Sequence, residues 1–191
     1  MGKKLSQMSL AELWQLFPIF LTGHKDCWAD WYQEEKKLLN KILPEDKIVR
    51  ISHIGSTSVA GIWAKPIIDI LVEAAEGSVL PEIGGCLAGN GYLLMSEGET
   101  RLSFNKGYTE QGFAERVYHL HLRYAGDNDE LYFRDYLMEH PDVAGEYERM
   151  KIRLWKKYGH DRDGYTNAKN SFVMQYTRAA RQLYGDCYDR V

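Results

Sequence analysis

The chain has 191 residues, 45% hydrophobic and 27% charged, which suits one globular domain with a helical annex. Its net charge of −3 counts against a dedicated nucleic-acid binder, which usually carries a basic stripe, but allows a local basic pocket for a small anion. Cys27, Cys86 and Cys187 lack C-x-x-C spacing, so they read as reduced thiols of a cytoplasmic protein.

Ser9 can cap a helix from about Leu10 to Phe17. The apolar run Leu16 to Leu21 is short and broken by Pro18, so no signal peptide is expected, and no segment is long enough to span a bilayer. Met1-Gly2-Lys3-Lys4-Leu5-Ser6 formally fits a myristoylation signal, a pattern short enough to arise by chance. Helical spacing of Trp28, Trp31, Tyr32, Glu35, Leu38, Leu39 and Ile42 predicts a helix from about Lys25 to Leu43, ended by Pro44.

Lys47 to Ile54 and the apolar run Pro66 to Val72 read as strands, the second buried and central. A short helix is expected between them. A helix from Leu80 to Asn90 closes on Gly91. Tyr92 to Ser96, Arg101 to Lys106 and Glu115 to Tyr124 read as three more strands joined by Gly-rich turns. Helices then run from Glu130 to Glu139, from Pro141 to about Tyr158 and from Asp163 to Tyr184. The fold class is α+β in a single domain 1–191. Residues 1–45 supply N-terminal helices, 46–125 a mixed sheet with one crossover helix, and 126–191 C-terminal helices packed on the sheet.

The chemistry concentrates between His53 and Val72. A strand leads into Gly55-Ser56-Thr57, a short helix follows, and the next strand carries one acid, Asp69. Glycine lets backbone approach a phosphate closely, and the N–H groups at a helix start attract it. Ser56 or Thr57 capping that helix is an equally ordinary use of the same residues. Lys65 and Asp69 arrive where a phosphate and a divalent metal would need them. An acid inside an apolar strand must be exposed at the strand end, paired, or bound to a cation.

The pattern resembles the nucleotidyltransferase superfamily signature, which usually adds a second carboxylate two residues after the first. Here that position is Leu71. Glu73 shares the strand face, but its α-carbon lies about 13 Å from that of Asp69, too far for one ion to bridge. His119, His121 and Arg123 alternate with Leu120 and Leu122, so the two histidines share one strand face. They could complete a metal site with Asp69 or form a solvated polar face. Imidazole ligands would favour Mn²⁺, Fe²⁺ or Zn²⁺ over Mg²⁺. Arg101 and Lys106, at odd spacing, point to opposite faces. Tyr165 and Lys169 are i and i+4 on a late helix, which lets Lys169 reach a polyphosphate or remain a solvated lysine.

His53 to Val72 also resembles the GrpB family, grouped with the nucleotidyltransferase superfamily. Three later blocks extend the likeness: His119-Leu120-His121, Leu131 to Leu137 with His140-Pro141, and Tyr165, Ala168, Lys169 and Phe172. Tyr118 stands where the family has a first His, and Ala60 where it commonly has Pro. The resemblance implies a minimal nucleotidyltransferase fold, with helices on one face of a mixed sheet and a site at the Gly-Ser turn. It implies no particular reaction.

Together these readings predict a metal-dependent nucleotidyl or phosphoryl transferase acting on a small molecule. Asp69 would be catalytic and would bind Mg²⁺ or Mn²⁺, or another transition metal, with His119 and His121. Gly55, Ser56, Thr57, Lys65, Arg123 and Lys169 would hold phosphates. The alternative is a non-catalytic nucleotide- or anion-binding module, which Leu71 in place of an acid favours. The expected partners are a nucleotide and a small-molecule substrate, with no membrane and no nucleic acid.

Overall fold

The computed structural model describes residues 4–188. The Met1-Gly2-Lys3 start of the formal lipidation pattern lies outside them. Helix α1 spans Leu10–Leu16, and its cap is a reciprocal box in which Ser9 Oγ accepts from Glu12 N–H while Glu12 accepts from Ser9 N–H. Helix α2, Cys27–Ile42, buries Trp28, Tyr32, Glu35 and Leu39, a 4-3-4 spacing that keeps one stripe inward.

The sheet has five strands in the order β1-β2-β5-β4-β3. These are β1 (Ile48–Ile54), β2 (Ile68–Ala74), β3 (Leu93–Glu97), β4 (Arg101–Thr109) and β5 (Gly112–Tyr124). β2 and β5 are parallel, while β1 pairs β2 and β4 pairs β5 antiparallel. A parallel pair needs a crossover, and α3 (Leu80–Ala88) followed by the β3–β4 hairpin provides it.

Strand alternation gives the sheet two unlike faces. Ile68, Ile70, Val72, Leu120, Leu122, Leu102 and Phe104 pack with α2 and α3 in the main core. The other face carries Asp69, Leu71 and Glu73 opposite His119, His121 and Arg123 in register. Leu71 is covered there by Ile54 and Leu131.

Four C-terminal helices follow: α4 (Asp129–Glu139), α5 (Pro141–Tyr158), α6 (Arg162–Asn167) and α7 (Asn170–Tyr184). Val59, Ile62, Leu137, Val143 and Tyr147 join Phe172 and Tyr176 in a second core, which fixes this lobe against the loop after Gly55. The Asp69 end of the polar face lies at the seam between sheet and lobe.

Three local expectations change. The helix expected from Asp163 to Tyr184 is broken at Ala168-Lys169, where Lys169 N–H bonds Thr166 O in a tightened turn. The break lets α6 bury Tyr165 beside the site while α7 buries Thr177 and Ala180 elsewhere. The helix expected after Gly55-Ser56 is a single 3₁₀ turn, Ser56–Ser58, too short to build a useful dipole. The β4–β5 hairpin runs longer than expected, with a register shift between Lys106 and Tyr108.

Candidate functional site

Asp69 sits near the start of β2, beside Ile54 of β1 and His119 of β5. Gly55 next to it has φ of 71°, and a β-carbon there would run into the Asp69 carboxylate. The glycine therefore makes room for the acid itself, a tighter requirement than close approach of a ligand. Thr57, expected to bind phosphate, is buried and occupied: its hydroxyl donates to Ile67 O and is 3.0 Å from His53 Nε2. It braces the loop. His53 points to the α2 face, stacked on Tyr32 at 4.7 Å, and burial pulls its pKa down to about 4. Ser56 remains facing the site, next to the Tyr147 hydroxyl.

A cavity of about 210 Å³ opens on Asp69 and is lined by Ser56, Lys65, His119, Lys151, Arg162, Tyr165 and Lys169. Four cationic side chains thus share it with one carboxylate. Lys65 and Lys169 both lie over the Tyr165 ring, at 4.4 and 4.5 Å, within cation–π range. Among the described residues neither ammonium has a hydrogen-bonding or ion-pair partner. Burial, then the charges of Lys169 and Arg162, pull Lys65 down to about 7, against the opposing pull of Asp69. Burial likewise lowers Lys169, and it lowers Lys151 to about 7 with Lys169 and Lys65 adding to the effect. Lys151 is 2% exposed and donates to Trp63 O. Such mutually repelling, desolvated cations fit an anion that would neutralise them.

Burial pushes the Asp69 carboxyl up, but the hydrogen bond from His119 and the charges of His119, His121 and Lys169 outweigh it, so the group is held below its ordinary range. His119 Nδ1 is 3.4 Å from Asp69 Oδ1, while its Nε2 is 2.8 Å from the Tyr108 hydroxyl, which accepts from Arg162 at 3.1 Å. A continuous polar chain therefore runs from Asp69 to Arg162. Tyr108 was missed in the sequence because it falls in a supposed Gly-rich turn. The register shift at Gly107, whose φ of 89° lets backbone pass close to Arg116, is what aims the phenol at His119.

His121, one pleat beyond, has its pKa lowered chiefly by burial, against the opposing pull of Asp69. Arg123 does not join the cluster: it is 9% exposed and bonded to Glu130 and Asp127. Glu73 is fully buried, clamped by Arg50 and Asn128. Arg101 and Lys106 do take opposite faces, paired with Asp127 and Glu35. Among the described residues no group of three His, Cys, Asp or Glu side chains is placed to hold a metal ion. One carboxylate, already approached by His119 and ringed by ammonium groups, does not fit a resident divalent cation. Lys151 and Arg162, like Tyr108 absent from the sequence reading, sit on helices where basic residues normally face water.

A second cavity, about 200 Å³, adjoins the first across Ser56, Asp69 and Lys169, and Glu130, Arg134 and Tyr147 line its far side. Arg134 also donates to His53 O, tying α4 to the end of β1. No helix among the described residues is long and apolar enough to cross a membrane.

The family model described as GrpB protein matches residues 18–179. The Glutamate-rich protein GrpB of Alkalihalophilus pseudofirmus is 36% identical over 166 residues, 81% of this chain and 91% of that one. The UPF0157 protein YqkA of Bacillus subtilis is 31% identical over 89% of this chain, which spans 50% of that protein. Among solved structures, the conserved protein GrpB from Enterococcus faecalis superposes with a TM-score of 0.73 at 31% identity, over 86% of this chain and 99% of that one. The Cid1 poly(U) polymerase, with MgGTP bound, gives 0.51 at 12% identity over 78% and 47%, a likeness of fold alone. The chain belongs to the GrpB family and carries it on a nucleotidyltransferase-like fold.

Proposed function

We propose that this protein binds a nucleotide or closely related phosphorylated small molecule in the Asp69 cleft. The observation that carries this reading is the convergence of Lys65, Lys151, Arg162 and Lys169 on one cavity with a single acid. Phosphate oxygens would accept from these groups, and charge-assisted bonds of this kind are roughly twice as strong as neutral ones. Ser56 would add a hydroxyl, and Asp69 would orient the ligand and keep the cations from repelling one another outward. The fold neighbour captured with MgGTP supports a nucleotide as the phosphorylated class.

The test is calorimetric titration of the full chain with inorganic triphosphate and with ATP, with and without Mg²⁺ or Mn²⁺. Wild type is expected to bind both, and Lys169→Ala to lose at least about tenfold in affinity for each. Absence of binding by wild type, or unchanged affinity in the variant, overturns the assignment.

A second reading, group transfer, is favoured by the two cavities that flank Asp69. One would take the phosphorylated donor and the other an acceptor hydroxyl, with Asp69 between them to receive its proton and His119 bonded behind it. Release of pyrophosphate from a nucleoside triphosphate in the presence of candidate alcohols would establish it, and binding without turnover would leave the protein a ligand-binding module.

A further inference from the structure

We infer that the bound ligand carries a flat heterocycle, seated in a separate aromatic cavity beside the cationic one; this rests on the phosphate-binding reading and names what lies beyond the phosphates. The cavity measures about 300 Å³ and is walled by Phe17, Phe20, Trp31 and Phe113. It shares Lys65, Ile67 and Arg162 with the cationic cavity, so two basic residues stand at the junction. A ligand that placed its phosphates on Lys65 and Arg162 would therefore have its remaining part directed to one of two places, and this is the more apolar.

Three further observations select a heterocycle rather than an alkyl chain. Four aromatic rings stand in the wall beside Ile19, Ile67 and Val117, and rings offer stacking that a flat π-system uses best. Thr22 and Glu115 also line it, offering a hydroxyl and a carboxylate to polar ring edges that an alkyl chain lacks. Phe20 remains 40% exposed, a large ring left half in water at the cavity wall. The two compartments are also mechanically joined. The Tyr108 ring packs on Phe17 and Phe113 at 4.7 and 5.1 Å, while its hydroxyl holds His119 and Arg162. Filling the aromatic cavity would thus press on the same phenol that positions the polar chain to Asp69.

The experiment compares the affinities of ATP, inorganic triphosphate and geranyl diphosphate for the full chain, using wild type, Phe20→Ala and Phe20→Leu. Phe20→Ala is expected to weaken ATP about tenfold and leave triphosphate unchanged, with Phe20→Leu recovering only part of the loss because it restores bulk without a π-face. Trp31 fluorescence, read in a chain whose other four tryptophans are replaced by phenylalanine, is expected to respond to ATP and not to triphosphate. Equal weakening of ATP and triphosphate, or none, overturns the heterocycle subsite while the phosphate site stands. Tighter binding of geranyl diphosphate than ATP overturns the choice of a heterocycle. Failure of wild type to bind either ATP or triphosphate removes the phosphate reading and this inference with it.

Discussion

At the scale of single residues the cleft is built at a cost to the fold. Lys65 has surrendered water for a place beside two other cations, Lys169 and Arg162, with the Tyr165 ring and Asp69 as its attractive partners among the described residues. Replacing it with an apolar side chain of similar length removes that repulsion and keeps the packing. Lys65→Met is therefore expected to raise the free energy of unfolding by about 1–2 kcal/mol while weakening triphosphate binding at least tenfold. Denaturant unfolding and calorimetric titration of the same preparation check it, and a less stable variant would mean the cation–π contact outweighs desolvation. That Lys65 and Asp69 lie together was legible in the sequence, because an acid inside an apolar strand needs exposure, a partner or a cation and Lys65 stands four residues before it. For Thr57 the sequence shows a hydroxyl at the turn, but not that it lines the cavity with that hydroxyl donated to Ile67 O. Lys151 was invisible because a lysine on an amphipathic helix ordinarily faces water, and only the packing of α5 on the Trp63 loop buries it.

Among the elements, α6 matters more than its six residues suggest. It presents Arg162 and Tyr165 to the cleft and is held by its cap, where Asp161 Oδ1 accepts from Gly164 N–H at 2.8 Å. A helix this short has almost no stability of its own. Asp161→Ala is expected to cost about 1 kcal/mol of stability and also to weaken triphosphate binding by several-fold, although Asp161 does not line the cavity. Loss of stability with unchanged affinity would show that Arg162 and Tyr165 are positioned without the cap. The sequence reading merged α6 with α7, since apolar periodicity runs through both and Ala168-Lys169 contains no helix breaker. What divides them is tertiary: Tyr165 is wanted in one place, and Thr177 and Ala180 in another. Strand alternation, by contrast, was enough to put His119, His121 and Arg123 on one face. It could not show which of them would find a local partner, and Arg123 found Glu130.

For the molecule as a whole, the strand order and the parallel pairing of β2 with β5 are visible only in the structure, but a mixed sheet with one crossover helix follows from features a sequence displays. The charge balance of the cleft does not, because it arises from four segments meeting: the Lys65 loop, α5, α6 and the start of α7. That meeting gives the protein an unusual pH dependence. Lys65 and Lys151 titrate near 7 when folded, and Lys169 is lowered too, while in the unfolded chain a lysine holds its proton to about 10.4. Between pH 7 and about 10 the unfolded state therefore binds more protons, and stability rises with pH, by at most about 1.4 kcal/mol per unit for each lysine concerned. His53 and Asp69 act in the same direction at lower pH, their folded values lying below the ordinary ones. Glu148 beside Lys151 opposes the effect without removing it. A bound anion reverses the situation by holding the lysines protonated. Sulfate, which does not titrate in this range, is expected to stabilise the protein most below pH 7 and progressively less above it, flattening the slope. Thermal unfolding across the range, with and without sulfate, measures both effects. A free protein whose stability is level or falling between pH 7 and 9, or a sulfate effect that grows with pH, would show that the lysines are not held neutral, and that the cleft is not charged by its ligand.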